Sequence, residues 1–229
     1  PSLFIKKHKL TCWFSVPSLV QNMIKLKQVK KNNFPSLKYS AFCGEALSES
    51  MVKTWKDSSP NTVIDNLYGP TETTIAVMGY RWKKFKKNQS RNGIVSIGKI
   101  FSGNQINIFK NKSKFELLIS GKQVFDGYIT NKEKNRTSFS FGKTKSYRTG
   151  DIVSKGFDGN YFFHGRKDRQ IKVGGYRIEL QEVENLIKKI IKSDQIVVVG
   201  WPQKETLQHT YSYLILIILK NIKSKNQKI

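Results

Sequence analysis

The stretch from Thr11 to Lys27, TCWFSVPSLVQNMIKLK, carries two periodicities separated by a single proline. Up to Val16 it is an apolar run of strand length. After Pro17 apolar residues return at helical spacing, at Leu19, Val20, Met23 and Ile24. A strand, a turn and a helix are predicted. The unit recurs: Tyr39 to Cys43 reads as a strand, Gly44 to Leu47 as a turn, and Ser48 to Trp55 as a helix entered through a serine cap, with Val52 and Trp55 inward. Thr62 to Leu67 supplies another strand. Alternating strand and helix argue for an α/β fold with a largely parallel sheet, whose ligands gather at the carboxyl ends of the strands.

Beyond Gly79 the texture changes to short strands at Ile106–Phe109, Phe115–Ser120, Ile152–Ser154 and Tyr161–His164, with Asp158-Gly159 as a hairpin-type turn. The Lys-rich stretch Arg81–Asn92 and the polar stretch Asn131–Ser146 are predicted surface loops. From Gln170 the pattern is two alternating strands around Gly174-Gly175, then a helix with Leu180, Val183, Leu186, Ile187, Ile190 and Ile191 on one face. Strands are expected at Ile196–Gly200 and Tyr211–Leu219, and the tail Lys220–Ile229 is expected to fray. The organisation implied is an incomplete large domain over residues 1–166, divided into a strand/helix region at residues 1–79 and a β-rich region at residues 80–166. A smaller α+β unit occupies residues 167–229, joined through Arg166 to Arg169.

Composition bounds what this chain can be. With 38% hydrophobic residues in 229, a packed core is expected. The longest apolar run, Tyr211–Leu219, falls short of the roughly 18 to 20 residues that cross a bilayer, so no membrane insertion is predicted. The start, Pro1-Ser2-Leu3-Phe4, has no initiator Met and reads as a chain begun partway through a domain. Cys12 and Cys43 are too few for a disulfide framework or a zinc site, which points to a reducing cytoplasm. The net charge of +25 is nearly all Lys, spread along the chain without Arg-aromatic interleaving. It reads either as a compositional drift over a solvated surface or as a polyanion-binding face. Attraction to an acidic protein partner survives either reading, and no specific nucleic acid is expected.

Three segments carry the chemistry. In Asn66-Leu67-Tyr68-Gly69-Pro70-Thr71-Glu72 a strand end runs into a turn. There an aromatic face can meet a base, a hydroxyl a phosphate oxygen, and a carboxylate Mg²⁺. A capped surface turn is the alternative. In Tyr147-Arg148-Thr149-Gly150-Asp151 the carboxylate can accept from a ribose diol, or stand in a solvated turn. The third, GRKDRQIKVGGYRIEL from Gly165 to Leu180, is long and specific.

Taken in order, these segments resemble the adenylate-forming superfamily of acyl- and amino-acid-activating ligases. The likeness extends over essentially the whole chain, including Trp13–Ser18 and Phe42-Cys43-Gly44-Glu45. It implies ATP and Mg²⁺ as cofactors. Tyr68 would stack on adenine, with Gly44, Glu45 and Ala46 as the opposite wall, Asn66 near the base edge, and Gly69 in the nucleotide-binding turn. Thr71 would hold the α-phosphate and Glu72 the Mg²⁺. Asp151 would grip the ribose, assisted by Arg166. Asp168 would be the hinge of a rotating lid, and Gly174-Gly175 would lie along the phosphopantetheine arm of a carrier protein.

Attack of a carboxylate on the α-phosphorus joins two anions, so such catalysis rests on positioning and fixed positive charge. His8, His164 and His209 are not needed and are read as surface or packing residues. Gln170-Ile171-Lys172 and Arg177–Leu180 resemble the amino-acid-activating branch, and WFSVPSLVQ with FCGE resembles the D-alanine:carrier-protein ligases. In that group the cysteine of FCGE lines the side-chain pocket. Cys43 is therefore a candidate selectivity residue, or a buried small apolar residue as most free cysteines are. The competing readings are a coenzyme A ligase and a basic nucleic-acid-binding protein.

The resemblance also leads one to expect a phosphate loop ending in Pro-Lys-Gly, upstream of Pro1, and a C-terminal lysine in a Gly-Lys context. Lys223, Lys225 and Lys228 have other surroundings. A longer polypeptide or a truncated gene product is expected, with little or no ligase activity in the chain alone, since each pre-placed charge at the reacting centre contributes about 3 kcal/mol. Amino-acid-dependent pyrophosphate exchange should be close to background, and turnover like that of an intact ligase would overturn the expectation.

Overall fold

The computed structural model describes residues 1–84, 86–87, 89–111, 114–173, 176–192, 196–201, 210–211 and 213–218. A short helix α1 (Ser2–Lys7) leads to strand β1 (Cys12–Ser15) and helix α2 (Pro17–Lys25). Pro17 sits in the first helical turn, where its missing N–H costs nothing and its fixed φ suits the helix. Strand β2 (Tyr39–Cys43), helix α3 (Glu49–Ser58) and strand β3 (Val63–Tyr68) follow. Ser48 caps α3 by accepting from the Met51 N–H.

β1, β2 and β3 are parallel neighbours, the helical crossovers permitting that sense. The next strand, β4 (Met78–Trp82), returns antiparallel to β3, because a short turn with no crossover helix joins them. A two-stranded ribbon, β5 (Ser90–Arg91) with β6 (Ile94–Val95), precedes β7 (Lys99–Ile100), which closes the sheet in the order β1-β2-β3-β4-β7. The sheet is therefore mixed rather than largely parallel.

Trp55 organises the first core. It is fully buried, lies 5.4 Å from Phe34, 5.6 Å from Trp13 and 6.0 Å edge-on from Phe42, and donates its indole N–H to Ser40 Oγ at 2.9 Å. That satisfies the one polar atom a buried indole carries.

The second sheet holds β8 (Asn104–Asn111), β9 (Lys114–Gly121), β10 (Phe139–Phe141), β11 (Lys145–Lys155) and β12 (Tyr161–Arg166). Its order is β10-β11-β9-β8, with β12 on β11. Gly98 ties the two sheets: Tyr161 donates its N–H to the Gly98 carbonyl at 2.9 Å, and a Cβ on Gly98 would fall 1.8 Å from the Gly79 oxygen. At φ +80 only glycine is comfortable there.

Two stretches expected to be loops hold structure. β4 runs on to Trp82, and the buried Gln89 side chain gathers the following turn by accepting from the Lys83 N–H at 2.7 Å and donating to the Lys86 carbonyl at 2.7 Å. The polar stretch 131–146 contains helix α4 (Lys132–Ser138), capped by Asn131, and then β10. No side chain of α4 is buried, so no apolar periodicity announces it.

In the last unit β13 (Gln170–Val173) pairs with β14 (Tyr176–Glu179), and helix α5 (Leu180–Ile191) follows. β15 (Ile196–Trp201) pairs with β17 (Tyr213–Ile218), and β16 (Thr210–Tyr211) lies parallel to β13. The apolar face expected of α5 is only partly used. Leu180 is buried, whereas Leu186, Ile190 and Ile191 are exposed. The buried position is taken by Glu184, which accepts from Arg169 Nη2 at 2.6 Å and from the Val198 N–H at 2.9 Å, partners that make burial of a carboxylate tolerable. The expected fraying of 220–229 lies outside the described residues. No helix among the described residues is long and apolar enough to cross a membrane.

Trp55→Ala should destabilise the fold by about 3–5 kcal/mol, read from urea denaturation. Glu116, on β9, is 1% exposed and bridges Arg148 and Lys167, both at 2.8 Å. Burial alone would raise its carboxyl, but Arg148 and Lys167 outweigh this and hold it below the ordinary value. Its stabilisation is therefore present above the unfolded carboxylate pKa and lost as pH falls through the folded one. Glu116→Gln should cost roughly 1–3 kcal/mol at neutral pH and flatten the acid limb of a stability–pH profile. An unchanged limb would remove Glu116 from that account.

Candidate functional site

β3 delivers Asn66, Leu67 and Tyr68 to the carboxyl end of the first sheet, where Gly69-Pro70 leads into a 3-10 turn at Thr71–Thr73. Gly69 is there for space: a Cβ would stand 2.7 Å from the Ile75 carbonyl oxygen and 2.8 Å from Ala76 Cα. Beyond the turn, Thr74 (φ 57) and Ile75 (φ 65) are both left-handed. Such conformations cost on the order of 1–3 kcal/mol each in β-branched residues and persist only where neighbours hold them. Gln123 does so: its side-chain amide donates to the Ala76 carbonyl at 3.1 Å, and its main-chain carbonyl accepts from Thr74 Oγ1 at 3.0 Å. Asn66 is buried and donates to the Ser96 carbonyl at 2.9 Å.

Asp151 on β11 is the hub. Tyr68 donates its hydroxyl to Asp151 Oδ2, across 83 residues of sequence, and Arg166 Nη1 donates to Oδ1 at 2.8 Å. Asp151 and Arg166 face each other across the β11–β12 ladder. Arg166 also forks onto Asp168, Nε to Oδ1 and Nη2 to Oδ2, each at 2.8 Å. Burial pushes the Asp151 carboxyl up, opposed first by Arg166, and burial followed by the Asp151 charge pushes the Tyr68 phenol well up. For Asp168 burial alone would raise the carboxyl, but Arg166 prevails and lowers it.

Glu72 lies beneath the turn, 3% exposed. Tyr128 donates its hydroxyl to Oε1 at 2.5 Å, and Arg177 Nη1 reaches Oε1 at 2.9 Å and Oε2 at 3.0 Å. Burial alone would raise this carboxyl, but Tyr128 and Arg177 hold it below the ordinary range. Among the described residues no group of three or more His, Cys, Asp or Glu is placed to hold a metal.

The opposite wall comes from the turn after β2. Gly44 is at φ +95 and gives its carbonyl to Lys172 Nζ. Glu45 accepts from the Ser18 N–H at 2.8 Å and Ser18 Oγ at 3.0 Å, so it serves as the cap that Val16 cannot provide at the N-terminus of α2. Cys43 is buried, with Sγ 3.7 Å from the Ile75 carbonyl oxygen, and burial pushes its thiol up. Burial pushes the Lys172 ammonium down, with Asp151, Cys43 and Glu45 opposing.

One cavity of about 900 Å³ joins these elements. Cys43, Gly44, Glu45, Ala46, Asn66, Tyr68, Gly69, Thr71, Asp151, Arg166 and Asp168 all line it. Glu72 lies behind Arg177, which does line it, and Gly174 and Gly175 lie outside the described residues, as does His209. His164, read as a surface or packing residue, also lines the cavity and shares a 2.7 Å hydrogen bond with Ser154 Oγ. The sequence reading assigns no site role to Lys172, Arg177 or Tyr128. For the first two a signal exists: on β13 and β14 they are direct cross-strand partners, hence on one face. Tyr128 stands in a segment with no periodicity to place it.

The chain matches the family model described as AMP-binding enzyme over residues 2–129. It is 36% identical over 191 residues to a D-alanine--D-alanyl carrier protein ligase of Staphylococcus epidermidis, covering 83% of this chain and 38% of the relative. The same-named protein of Lacticaseibacillus casei is 33% identical over 195 residues, with 81% and 38% covered. The chain thus spans under two-fifths of the length of these curated relatives. Among solved structures, the Vibrio cholerae adenylation domain AlmE in complex with glycyl-adenosine-5'-phosphate superposes with a TM-score of 0.84 at 31% identity, covering 95% of this chain and 42% of that one. PA1221, a protein with adenylation and PCP domains, shares the fold at TM-score 0.73 and 21% identity, with 94% and 44% covered. With the match covering more than half its length, the chain belongs to the AMP-binding enzyme family.

Proposed function

We propose that this chain supplies the nucleoside-holding cleft and a portion of the lid of a ligase that activates an amino acid with ATP and passes it to a carrier-protein thiol. The observation that carries the reading is the convergence of Tyr68 with Asp151, 83 residues further along the chain, and with Arg166 and Asp168, on one cavity of about 900 Å³. An ionised carboxylate is an acceptor only, and a ribose diol is a pair of donors. Asp151 in its ionised form is thus matched to ribose, with Arg166 opposing the effect of burial and orienting the carboxylate. Tyr68 offers its ring to a base, facing the Gly44–Ala46 wall, and Asn66 is fixed close by.

In the first step the amino acid's carboxylate oxygen attacks the α-phosphorus, the bond to the bridging oxygen breaks, and pyrophosphate leaves. In the second, the phosphopantetheine thiolate of the carrier attacks the acyl carbon and AMP leaves. Both steps bring anions together, so the chain's contribution is placement plus fixed charge: Thr71 toward the α-phosphate, Arg166 and Lys172 along the cavity wall. A divalent cation would need a Glu72 oxygen, and Arg177 engages both, so the residues as arranged do not fit a metal.

The relatives named for D-alanyl carrier protein favour a small amino acid as substrate, with Cys43 on the side-chain wall. Residues 167–229 are assigned to the lid, and Asp168, tethered to Arg166, to its hinge. The partner is taken to be an acidic carrier protein, for which the +25 chain provides an attracting field.

Titration with a fluorescent ATP analogue tests the cleft. Asp151→Asn should weaken binding by about 10- to 100-fold, the range of a hydrogen bond to a charged group. Tyr68→Ala should lose about 1–3 kcal/mol of stacking. Affinities equal to the parent chain in both variants would refute the assignment.

A further inference from the structure

Lys172 is the one lysine among the described residues that line the cavity. It is half-buried on β13, and its Nζ donates to the carbonyl of Gly44, the residue after Cys43. The charges it feels are those of Asp151 on β11, Cys43 at the end of β2, Glu45 in the turn that follows, and Arg177 across the ladder on β14. In the assignment above, Asp151 marks the ribose end of the ligand and Cys43 the side-chain wall. The acyl–phosphate bond of an aminoacyl-adenylate would lie between those two marks, with the Lys172 amine beside it. An amine attacks such a bond only when it has shed its proton. Burial pushes the Lys172 ammonium down, Arg177 adds to that push, and Asp151, Cys43 and Glu45 fall short of cancelling it. More of it is therefore neutral than of an exposed lysine at the same pH. The thiol nearby is in the opposite condition: burial pushes Cys43 up, which keeps it protonated and a poor nucleophile.

Resting on the nucleotide reading above, we propose that Lys172 is a self-aminoacylation site, which takes the acyl group of an aminoacyl-adenylate that no carrier thiol has claimed. The lone pair of neutral Nζ attacks the acyl carbon, the bond from that carbon to the phosphate oxygen breaks, and AMP leaves with the electron pair. The nitrogen then releases one proton to water, and the product is an amide. No oxidant or further reactant is consumed. An amide, unlike a carrier's thioester, does not hand its acyl group on, so each event is final. The positive charge moves from Nζ to the α-amino group of the added residue, and the added atoms fill the space that the acyl group of the next adenylate needs. The cleft thus closes itself when adenylate outruns its carrier.

The test gives synthetic alanyl-adenylate to the full 229-residue chain and locates the added alanyl mass by peptide mass spectrometry. Lys172 should be acylated at least about tenfold faster than the exposed Lys7 and Lys9, because a held reactant gains over a random encounter. Excess AMP should bring Lys172 down to the rate of those two, and Asp151→Asn should do the same without AMP. Lys172→Arg, which keeps a cation and offers no nucleophile, should lose this label alone and keep the labels on Lys7 and Lys9. The acylated chain, freed of AMP, should lose binding sites for the unreactive alanyl sulfamoyl-adenosine in proportion to the fraction acylated. With AMP binding intact, a Lys172 rate equal to that of Lys7 and Lys9, a label that AMP does not suppress, a label on Cys43 in place of Lys172, or full analogue binding after acylation overturns the proposal. AMP affinity that is absent, or indifferent to Asp151→Asn, shows separately that the nucleotide reading has failed and takes this proposal with it.

Discussion

A carboxylate held inside a protein is tolerable only if its charge is answered on the spot, and Asp151 sets the terms for the whole cleft. Its two oxygens are divided between a phenol from the first sheet, Tyr68, and a guanidinium from the second, Arg166. The Tyr68 bond holds the carboxyl end of β3 against the β11–β12 pair, and the Arg166 bond joins the two strands of that pair. Without the first, Tyr68 and Asp151 would belong to separate surfaces. Gly98, with no room for a Cβ beside Gly79, brings the backbones close enough for the side chains to meet.

Glu72 presents the same electrostatic problem with a different solution. Arg166 is a ladder neighbour of Asp151, so that counterion is built into the sheet and stays wherever the sheet goes. Arg177 belongs to the β13–β14 hairpin and reaches Glu72 across a cavity wall. One buried charge is thus answered from the neighbouring strand of its own sheet and the other from a separate strand pair. Backbone strain lies nearby: Thr74 and Ile75, left-handed and β-branched, sit on the segment that continues from Glu72, pinned by Gln123.

Much of this is legible in the chain wherever local chemistry and tertiary role coincide. The Pro17 boundary, the Ser48 cap, the inward Val52 and Trp55 and the Asp158-Gly159 turn all follow from rules about single elements, and each is found. The convergence of Tyr68, Asp151 and Arg166 comes through resemblance, since nothing local in Tyr147–Asp151 separates a ribose acceptor from a solvated turn. The pattern misleads where tertiary partners rewrite it. β4 is antiparallel because of connection length, which hydropathy does not encode. α4 buries nothing and so has no stripe. In α5 the buried position goes to Glu184 because Arg169 and the Val198 N–H are there to receive it, while Leu186 and Ile190 stay out.

Register is the last link between chain and chemistry. Strand side chains alternate faces, so a slip of one residue between β13 and β14 would turn Arg177 away from Glu72. It would also separate Arg177 from Lys172, its partner across the ladder. The pairs Gln170 with Glu179 and Lys172 with Arg177 share a face, and the Gln170 side chain hydrogen-bonds both Glu179 and Arg177, the latter at 2.7 Å. Those polar contacts hold the register where little apolar burial is available to do so, since Tyr176 and Arg177 are exposed by area and Ile171 and Lys172 only half-buried. Hydrogen bonds that would be commonplace in a loop here decide which cation faces a buried acid. A substitution at Gln170, though it contacts neither Glu72 nor the Gly44 carbonyl, would therefore act on both through the ladder.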